Sequence, residues 1–254
     1  MITTPLCTLL GISHPILNAS MASTATGRLA AAVSEAGGFG MIGGTNPDGA
    51  DWLREQIRIA RSLTQRPFGV GFISAFPDTA ALATVALAEG VTAINHSFAD
   101  PTPYAAATHA AGAKLFVQVQ TVAQAVRAAA AGADVIIAQG SDAGGHAGAI
   151  GTFALLPAIV DAVSPIPVVA AGGIGDGRGL AAALILGAQG AWLGTRFVAS
   201  NEWGGPAAEQ DAVVKATADD TIQTRIFDQI TQRPFPPENP DRVLRNAFTE
   251  RWAE

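Results

Sequence analysis

The chain has 254 residues, 49% hydrophobic and only 14% charged, with a formal net charge of −6. This composition excludes a disordered chain, and a negative balance without a basic cluster argues against nucleic-acid binding. No apolar run reaches the roughly 18 residues of a bilayer span, Met1–Pro5 does not open a signal peptide, and one cysteine, Cys7, excludes an internal disulfide and fits the cytoplasm.

Short apolar runs alternate with alanine-rich helical stretches. Pro15-Ile16-Leu17-Asn18 predicts the first strand, and a helix follows over about 26–36. Phe39-Gly40-Met41-Ile42 is the second strand, leading to a helix through Trp52, Leu53 and Ile57. Phe68–Ile73 is the third, with a helix over 79–89. Thr92–Asn95 is the fourth, and its helix starts near Pro103. Lys114–Val119 is the fifth, followed by a helix over 121–131. Asp134–Ala138 is the sixth, and a helix near 153–163 leads to the seventh, Pro167–Ala171. A helix over 176–186 precedes the eighth strand, Gly190–Leu193.

Glycines close these helices at Gly37, Gly90, Gly112, Gly132 and Gly187, where a helix end favours left-handed backbone. Eight strand–helix units predict a parallel TIM (β/α)8 barrel. An open doubly wound sheet is the alternative, but the Gly-x-Gly-x-x-Gly turn it favours is absent after the first strand. From about Asn201 the alternation stops. Pro206–Ala218 and Asp241–Trp252 each have helical character, on either side of the Pro234-Phe235-Pro236-Pro237 break. The expected division is a barrel over 1–200 and a C-terminal helical extension over 201–254, packed on the barrel or partly covering its mouth.

Three features fall at strand C-termini, the face where barrel active sites form. The first is Gln139-Gly140-Ser141-Asp142-Ala143-Gly144-Gly145-His146. A buried strand there opens into a glycine-rich loop bearing one of only four histidines. A neutral imidazole near pH 7 can take or give a proton, and glycines on both sides admit a flat ring. An ordinary loop histidine is the plainer reading. The second and third are Gly172-Gly173 after strand seven and Gly194-Thr195 after strand eight. Backbone N–H groups in such turns hold phosphate. Either alone reads as a simple turn, but their occurrence after consecutive strands favours a phosphate site. Met21 follows strand one and either fills core space or touches a bound ring. His96 could line the site or make a structural hydrogen bond, while His14 and His109 receive no role. No metal site is expected, since no His or Cys stands at ligand spacing. A Ser–His–Asp hydrolase is disfavoured because the Gly-x-Ser-x-Gly elbow is missing.

Taken together, Pro15–Ala22, the Gln139–His146 loop, Ala171–Ile174 and Leu193–Phe197 resemble the nitronate monooxygenase family, FMN enzymes also known as 2-nitropropane dioxygenase-like. The resemblance runs from about residue 10 to the end, and its glycine–histidine loop is the specific part. It implies FMN bound in a TIM barrel over 1–200, with Gln139 and Gly144 at the flavin. Gly172, Gly173, Gly194 and Thr195 would hold the phosphate, and Met21 would lie near the ring. It further implies that His146 is the catalytic base of a monooxygenase oxidising an alkyl nitronate or nitroalkane with O2. The third strand departs from the family. Gly71 stands where an asparagine usually contacts the flavin, so that hydrogen bond is expected to be lost. The segment after the barrel is shorter than in many members, so a reduced cap is expected.

Two alternatives remain open. One is an FMN-dependent NAD(P)H reductase of an enoyl thioester or quinone. The other is a non-redox barrel binding a phosphorylated metabolite. The partners expected are a small molecule and O2, without nucleic acid or membrane, and a homodimer is compatible with the sequence.

Overall fold

The structure, a computed structural model, describes residues 2–252. Met1, Ala253 and Glu254, at the outer bounds of the two expected segments, lie outside the described residues. In chain order the strands are β1 (Ile16–Asn18), β2 (Gly40–Gly43), β3 (Phe68–Ile73), β4 (Ala93–Ser97), β5 (Lys114–Val119), β6 (Val135–Gln139), β7 (Gly145–His146), β8 (Val168–Ala171), β9 (Gly190–Leu193), β10 (Thr221–Thr224) and β11 (Asp241–Leu244). The helices are α1 (Pro5–Leu10), α2 (Gly27–Glu35), α3 (Gly49–Leu63), α4 (Thr79–Ala88), α5 (Thr102–Ala110), α6 (Val122–Ala130), α7 (Thr152–Val163), α8 (Gly177–Ile185), α9 (Thr195–Val198), α10 (Ala207–Lys215), α11 (Ile226–Thr231) and α12 (Ala247–Trp252).

Eight parallel strands run in the order β1-β9-β8-β6-β5-β4-β3-β2, with helices outside them, as the alternating pattern predicts for a TIM barrel. The seam between β1 and β2 is closed largely by a side chain. Leu17 bridges Phe39, and the buried Asn18 carboxamide then acts as an extra peptide unit. Its Nδ2 donates to the Met41 carbonyl at 2.7 Å, and its Oδ1 accepts from the Met41 N–H at 2.8 Å.

The barrel interior is filled by buried apolar side chains, among them Leu17, Phe39, Met41, Phe116, Val135, Ile137, Val169 and Trp192. Phe39 and Phe116 meet across it with ring centroids 5.6 Å apart. The sequence reading did not include α1. Its Leu6, Cys7 and Leu10 are buried against the same core. Pro5 opens α1 and left-handed Gly11 (φ 67°) ends it, a terminal pattern that favours a helix. A β-carbon at Gly190 would come within 2.7 Å of Leu6 Cδ2, so glycine there lets α1 lie against the barrel floor.

The extension differs from the helical expectation for residues 241–252. Residues 241–244 form strand β11, and only 247–252 are helical. β11 pairs antiparallel with β10 on one side and with the two-residue β7 on the other. The pattern is one of tertiary pairing: the Gly145–His146 backbone offers an open edge that β11 completes. Thus the histidine-bearing segment, expected as a loop, becomes the edge of a three-stranded sheet. No described helix is long and apolar enough to cross a membrane.

Candidate active site

A cavity of about 630 Å³ opens at the C-terminal ends of the barrel strands. Ala19–Ser23 after β1, Ser97 at the end of β4 and Phe98 just beyond it, Gln118 on β5 and Gln139 on β6 form its walls. Gly144, Gly145 and His146 close another side, and Arg233, Phe235 and Asp241 come from the extension. Of the residues singled out from sequence, Met21, Gln139, Gly144 and His146 therefore share one cavity.

His146 is the most constrained group there. Its Nε2 lies 3.0 and 2.9 Å from the two carboxylate oxygens of Asp228 on α11. Both side chains are more than nine-tenths buried. With Nε2–H given to the carboxylate, Nδ1 is left as the acceptor nitrogen. Nδ1 bonds to nothing among the described residues. Phe235 stacks on the imidazole with centroids 3.4 Å apart and planes 7° from parallel, and Phe98 meets it edge-on at 6.2 Å. These two contacts and the hydrogen bonds to Asp228 leave the ring little freedom to rotate.

The loop before His146 is tied down at both ends. Asp142 Oδ2 accepts from the Thr152 N–H at the start of α7, at 2.7 Å. That bond, foremost, holds the Asp142 carboxyl below its ordinary range. The Ser141 carbonyl accepts from Arg242 Nη2 at 3.0 Å, so β11 also clamps the loop through its side chains. Asp241 pairs with His146 across the β7–β11 ladder. Burial is the main cause raising its carboxyl above the usual range. The Asp228 charge adds to this, while His146 and Arg233 oppose it.

Three amides meet at the floor. Gln118 Nε2 and Gln120 Nε2 both donate to Gln139 Oε1, at 3.0 and 2.9 Å. The Gln139 oxygen is thereby occupied and its NH2 remains to face the cavity. Beside this cluster, Asn95 Oδ1 is buried without a partner among the described residues. A β-carbon at Gly71 would run into Ser20 Oγ and come within 3.2 Å of Asn95 Nδ2. The space of the expected asparagine is thus taken by Ser20 and Asn95, and the wall remains polar there. Met21 lines the cavity and also packs against Ala25, Leu29 and Val33, so it fills core space while reaching the cavity wall.

Gly172, Gly173, Gly194 and Thr195 sit next to this cavity rather than on its lining. Gly172, Gly173 and Thr195 meet the His146 loop directly, whereas a β-carbon at Gly194 would face Ala19 and Met21 after β1. A β-carbon at Gly144 would stand 2.6 Å from Thr195 Oγ1. One at Gly172 would stand 2.9 Å from both Ala143 N and Thr152 Oγ1, and Gly172 and Gly173 hold φ of 110° and 71°. Among the described residues, the N–H groups of Gly172 and Gly173 donate to no other group of the chain. The Asp176 carboxylate caps α8 through Arg178 N at 2.9 Å, so that helix start is already served. The free donors are those of the Gly172–Gly173 turn and the start of α9. Unpaired N–H groups in a side-chain-free cradle, beside a cavity with an amide donor, fit a phosphate-bearing flat cofactor such as FMN.

Other histidines stay outside the cavity lining. His96 is fully buried, bonded through Nδ1 to Ser74 Oγ at 2.7 Å and stacked on Tyr104 at 3.9 Å. Burial lowers its pKa to about 3, so it is a neutral structural group. The described residues contain no cluster of three metal-ligating side chains. Sequence reasoning missed Asp228, Arg233, Phe235 and Asp241. Only Phe235 carried a local signal, since flanking prolines stiffen the backbone that presents it.

A sequence model described as nitronate monooxygenase matches residues 3–252. Over 250 residues the chain is 36% identical to a Mycobacterium tuberculosis (strain ATCC 25618 / H37Rv) protein named (3aS,4S,5R,7aS)-5-hydroxy-7a-methyl-1-oxo-octahydro-1H-indene-4-carboxyl-CoA dehydrogenase. That match covers 98% of this chain and 68% of the relative. Among solved structures, FabK from Thermotoga maritima superposes with a TM-score of 0.91 at 40% identity, covering 99% of this chain and 77% of that one. Nitroalkane oxidase from Streptomyces ansochromogenes superposes with a TM-score of 0.86 at 32% identity, covering 98% and 81%.

Proposed function

The chain belongs to the nitronate monooxygenase family and is a flavin-dependent oxidoreductase, and from that premise we propose that it uses FMN to oxidise an alkyl nitronate or nitroalkane with O2. The observation that carries this reading is His146, fixed by Asp228 through Nε2 with Nδ1 unbonded on the cavity wall. A base held in one tautomer beside a cofactor cavity is suited to removing a proton from carbon. FMN, when bound, supplies the redox chemistry. The protein's part is placement. Gly172, Gly173, Gly194 and Thr195 hold the phosphate, Gln139 donates to the ring, Met21 lies against it, and Gly144 lets it approach the loop.

In this proposal the barrel over 1–200 is the FMN-binding unit, and the extension over 201–254 completes the site through Asp228, Phe235 and Asp241. Phe235 and Phe98 exclude water from the imidazole. The buried Cys7 fits a reducing compartment such as the cytoplasm. Anaerobic mixing tests the reading: purified protein should be yellow, and propyl nitronate should bleach it. Colourless protein that fails to take up FMN would overturn it.

A second reading is an FMN-dependent dehydrogenase or NAD(P)H reductase acting on a thioester. It is favoured by the 36% identity to a relative named as a carboxyl-CoA dehydrogenase. It is favoured too by a second cavity of about 260 Å³ that shares Phe98 and Gln118 with the first and gives room for a longer chain. Bleaching by NAD(P)H, with none by propyl nitronate, would select it.

A further inference from the structure

Asp241 is a cavity-lining carboxyl for which neither the barrel nor the sheet has a structural use. Its side chain makes no hydrogen bond with the described residues. It stands directly opposite His146 in the β7–β11 pairing. Residues directly opposed in an antiparallel ladder project to the same face with β-carbons about 5 Å apart. The cavity therefore has an imidazole and a carboxyl side by side on one wall, both in its lining.

We propose that Asp241 is a second catalytic residue, a carboxylic acid that donates a hydrogen bond to the substrate oxygen on which charge builds as His146 takes the substrate proton. The proposal rests on the nitroalkane reading given above. The bookkeeping is that of a proton transfer. The C–H bond of the nitroalkane breaks and its proton forms a bond to His146 Nδ1. The electron pair moves into the C–N bond and onto a nitro oxygen, which accepts the Asp241 O–H. A carboxyl donor must hold its proton while the base takes another, and burial favours the neutral form of a carboxyl.

The surroundings favour the protonated form. Burial raises the Asp241 pKa, and the Asp228 carboxylate adds to the rise. Arg233, just after α11, pulls the other way, as does His146 on β7. Asp78 joins the lining from the N-terminal end of α4 and adds further negative charge. Asp228 is already engaged by His146 on both oxygens, so it cannot serve as the donor. The two aspartates thus divide the work, one holding the base and the other meeting the substrate.

The test uses FMN-loaded enzyme. Infrared difference spectra of wild type against Asp241→Asn at neutral pH should show a protonated-carboxyl carbonyl band that the variant lacks. In Asp241→Ala, the ratio of kcat/KM for neutral nitroethane to that for propyl nitronate should fall at least tenfold. Asp241→Asn keeps an N–H donor and should recover part of that ratio. It should also lose the alkaline fall in the wild-type pH profile. Turnover of both substrates with no carboxyl band and an unchanged ratio would overturn the Asp241 assignment. Turnover of neither by wild type, with the band present, would overturn the functional reading instead.

Discussion

Asp228 holds His146 from 82 residues further along the chain, with both carboxylate oxygens within 3.0 Å of the imidazole Nε2. The pair joins two parts of the molecule with different origins in the sequence. His146 follows the sixth barrel strand, and Asp228 belongs to the extension. The orientation of the imidazole is therefore a property of their contact and not of either segment alone.

Asp228→Asn should separate orientation from cofactor binding. The amide can present either its oxygen or its NH2 to Nε2, so the imidazole loses its fixed tautomer. Turnover of neutral nitroalkane should fall about 10²-fold, the cost of a misplaced catalytic group. Flavin content, read from absorbance of purified protein, should match wild type. A variant with wild-type turnover would show that Asp228 does not position the base.

His146→Ala should lose about 10²- to 10⁴-fold in turnover of neutral nitroalkane, the usual worth of a general base. The loss on preformed nitronate should be smaller, because that substrate has already given up its proton. Steady-state kinetics on both forms measures the difference. Equal losses would remove the general-base role.

How far the sequence foretold this site depended on distance along the chain. The strand before Gln139, the glycines at 144, 172, 173 and 194, and His146 itself are local patterns at strand C-termini, although His146 stands on the edge strand β7 and not in a loop. Asp228, Phe235 and Asp241 reach the site through β11 pairing with β7, a contact between remote residues that no local period records. Asp241-Arg242-Val243-Leu244 reads as the start of a helix because four half-buried residues are too few to show a strand's alternation. The available edge of Gly145–His146 decided its form. Pro5 and Gly11 did carry the terminal signals of α1. The six residues between them are too few to show helical periodicity.

Gly172→Ala should weaken FMN binding about tenfold or more. Left-handed backbone at a residue with a β-carbon costs on the order of 1–3 kcal/mol, and the added methyl would press on Ala143 N and Thr152 Oγ1 at 2.9 Å. Fluorescence titration of flavin-free protein measures the change. Gly175→Ala is the control, since a β-carbon there meets nothing within 4 Å. Equal affinities for the two variants would place the phosphate elsewhere.

His96 should make the protein acid-sensitive. Its folded pKa of about 3 lies below the ordinary imidazole value of 6.5, so the folded state binds this proton less readily than the unfolded chain. Its stabilising share is complete above pH 6.5 and is lost as pH falls toward 3, by up to about 1.4 kcal/mol per pH unit. Urea unfolding at several pH values should show this slope, and His96→Phe should flatten it. An unchanged slope would assign the acid sensitivity to other groups.

Asn18→Leu should destabilise the barrel by about 2–4 kcal/mol, because it leaves the Met41 N–H and carbonyl buried without partners. Chemical denaturation measures the loss. A loss below about 0.5 kcal/mol, the scale of a surface change, would mean that backbone pairing alone closes the seam.

The β7–β11 pairing also sets an order of assembly during synthesis. A ribosome makes all eight barrel strands and the turns at Gly172 and Gly194 before it reaches Asp228, Phe235 or Asp241. A growing chain can therefore finish the glycine turns proposed to hold the phosphate while His146 still lacks its anchor, its aromatic cover and its neighbouring strand. The setting of the imidazole is completed late, by residues 228–244 closing on a scaffold already built.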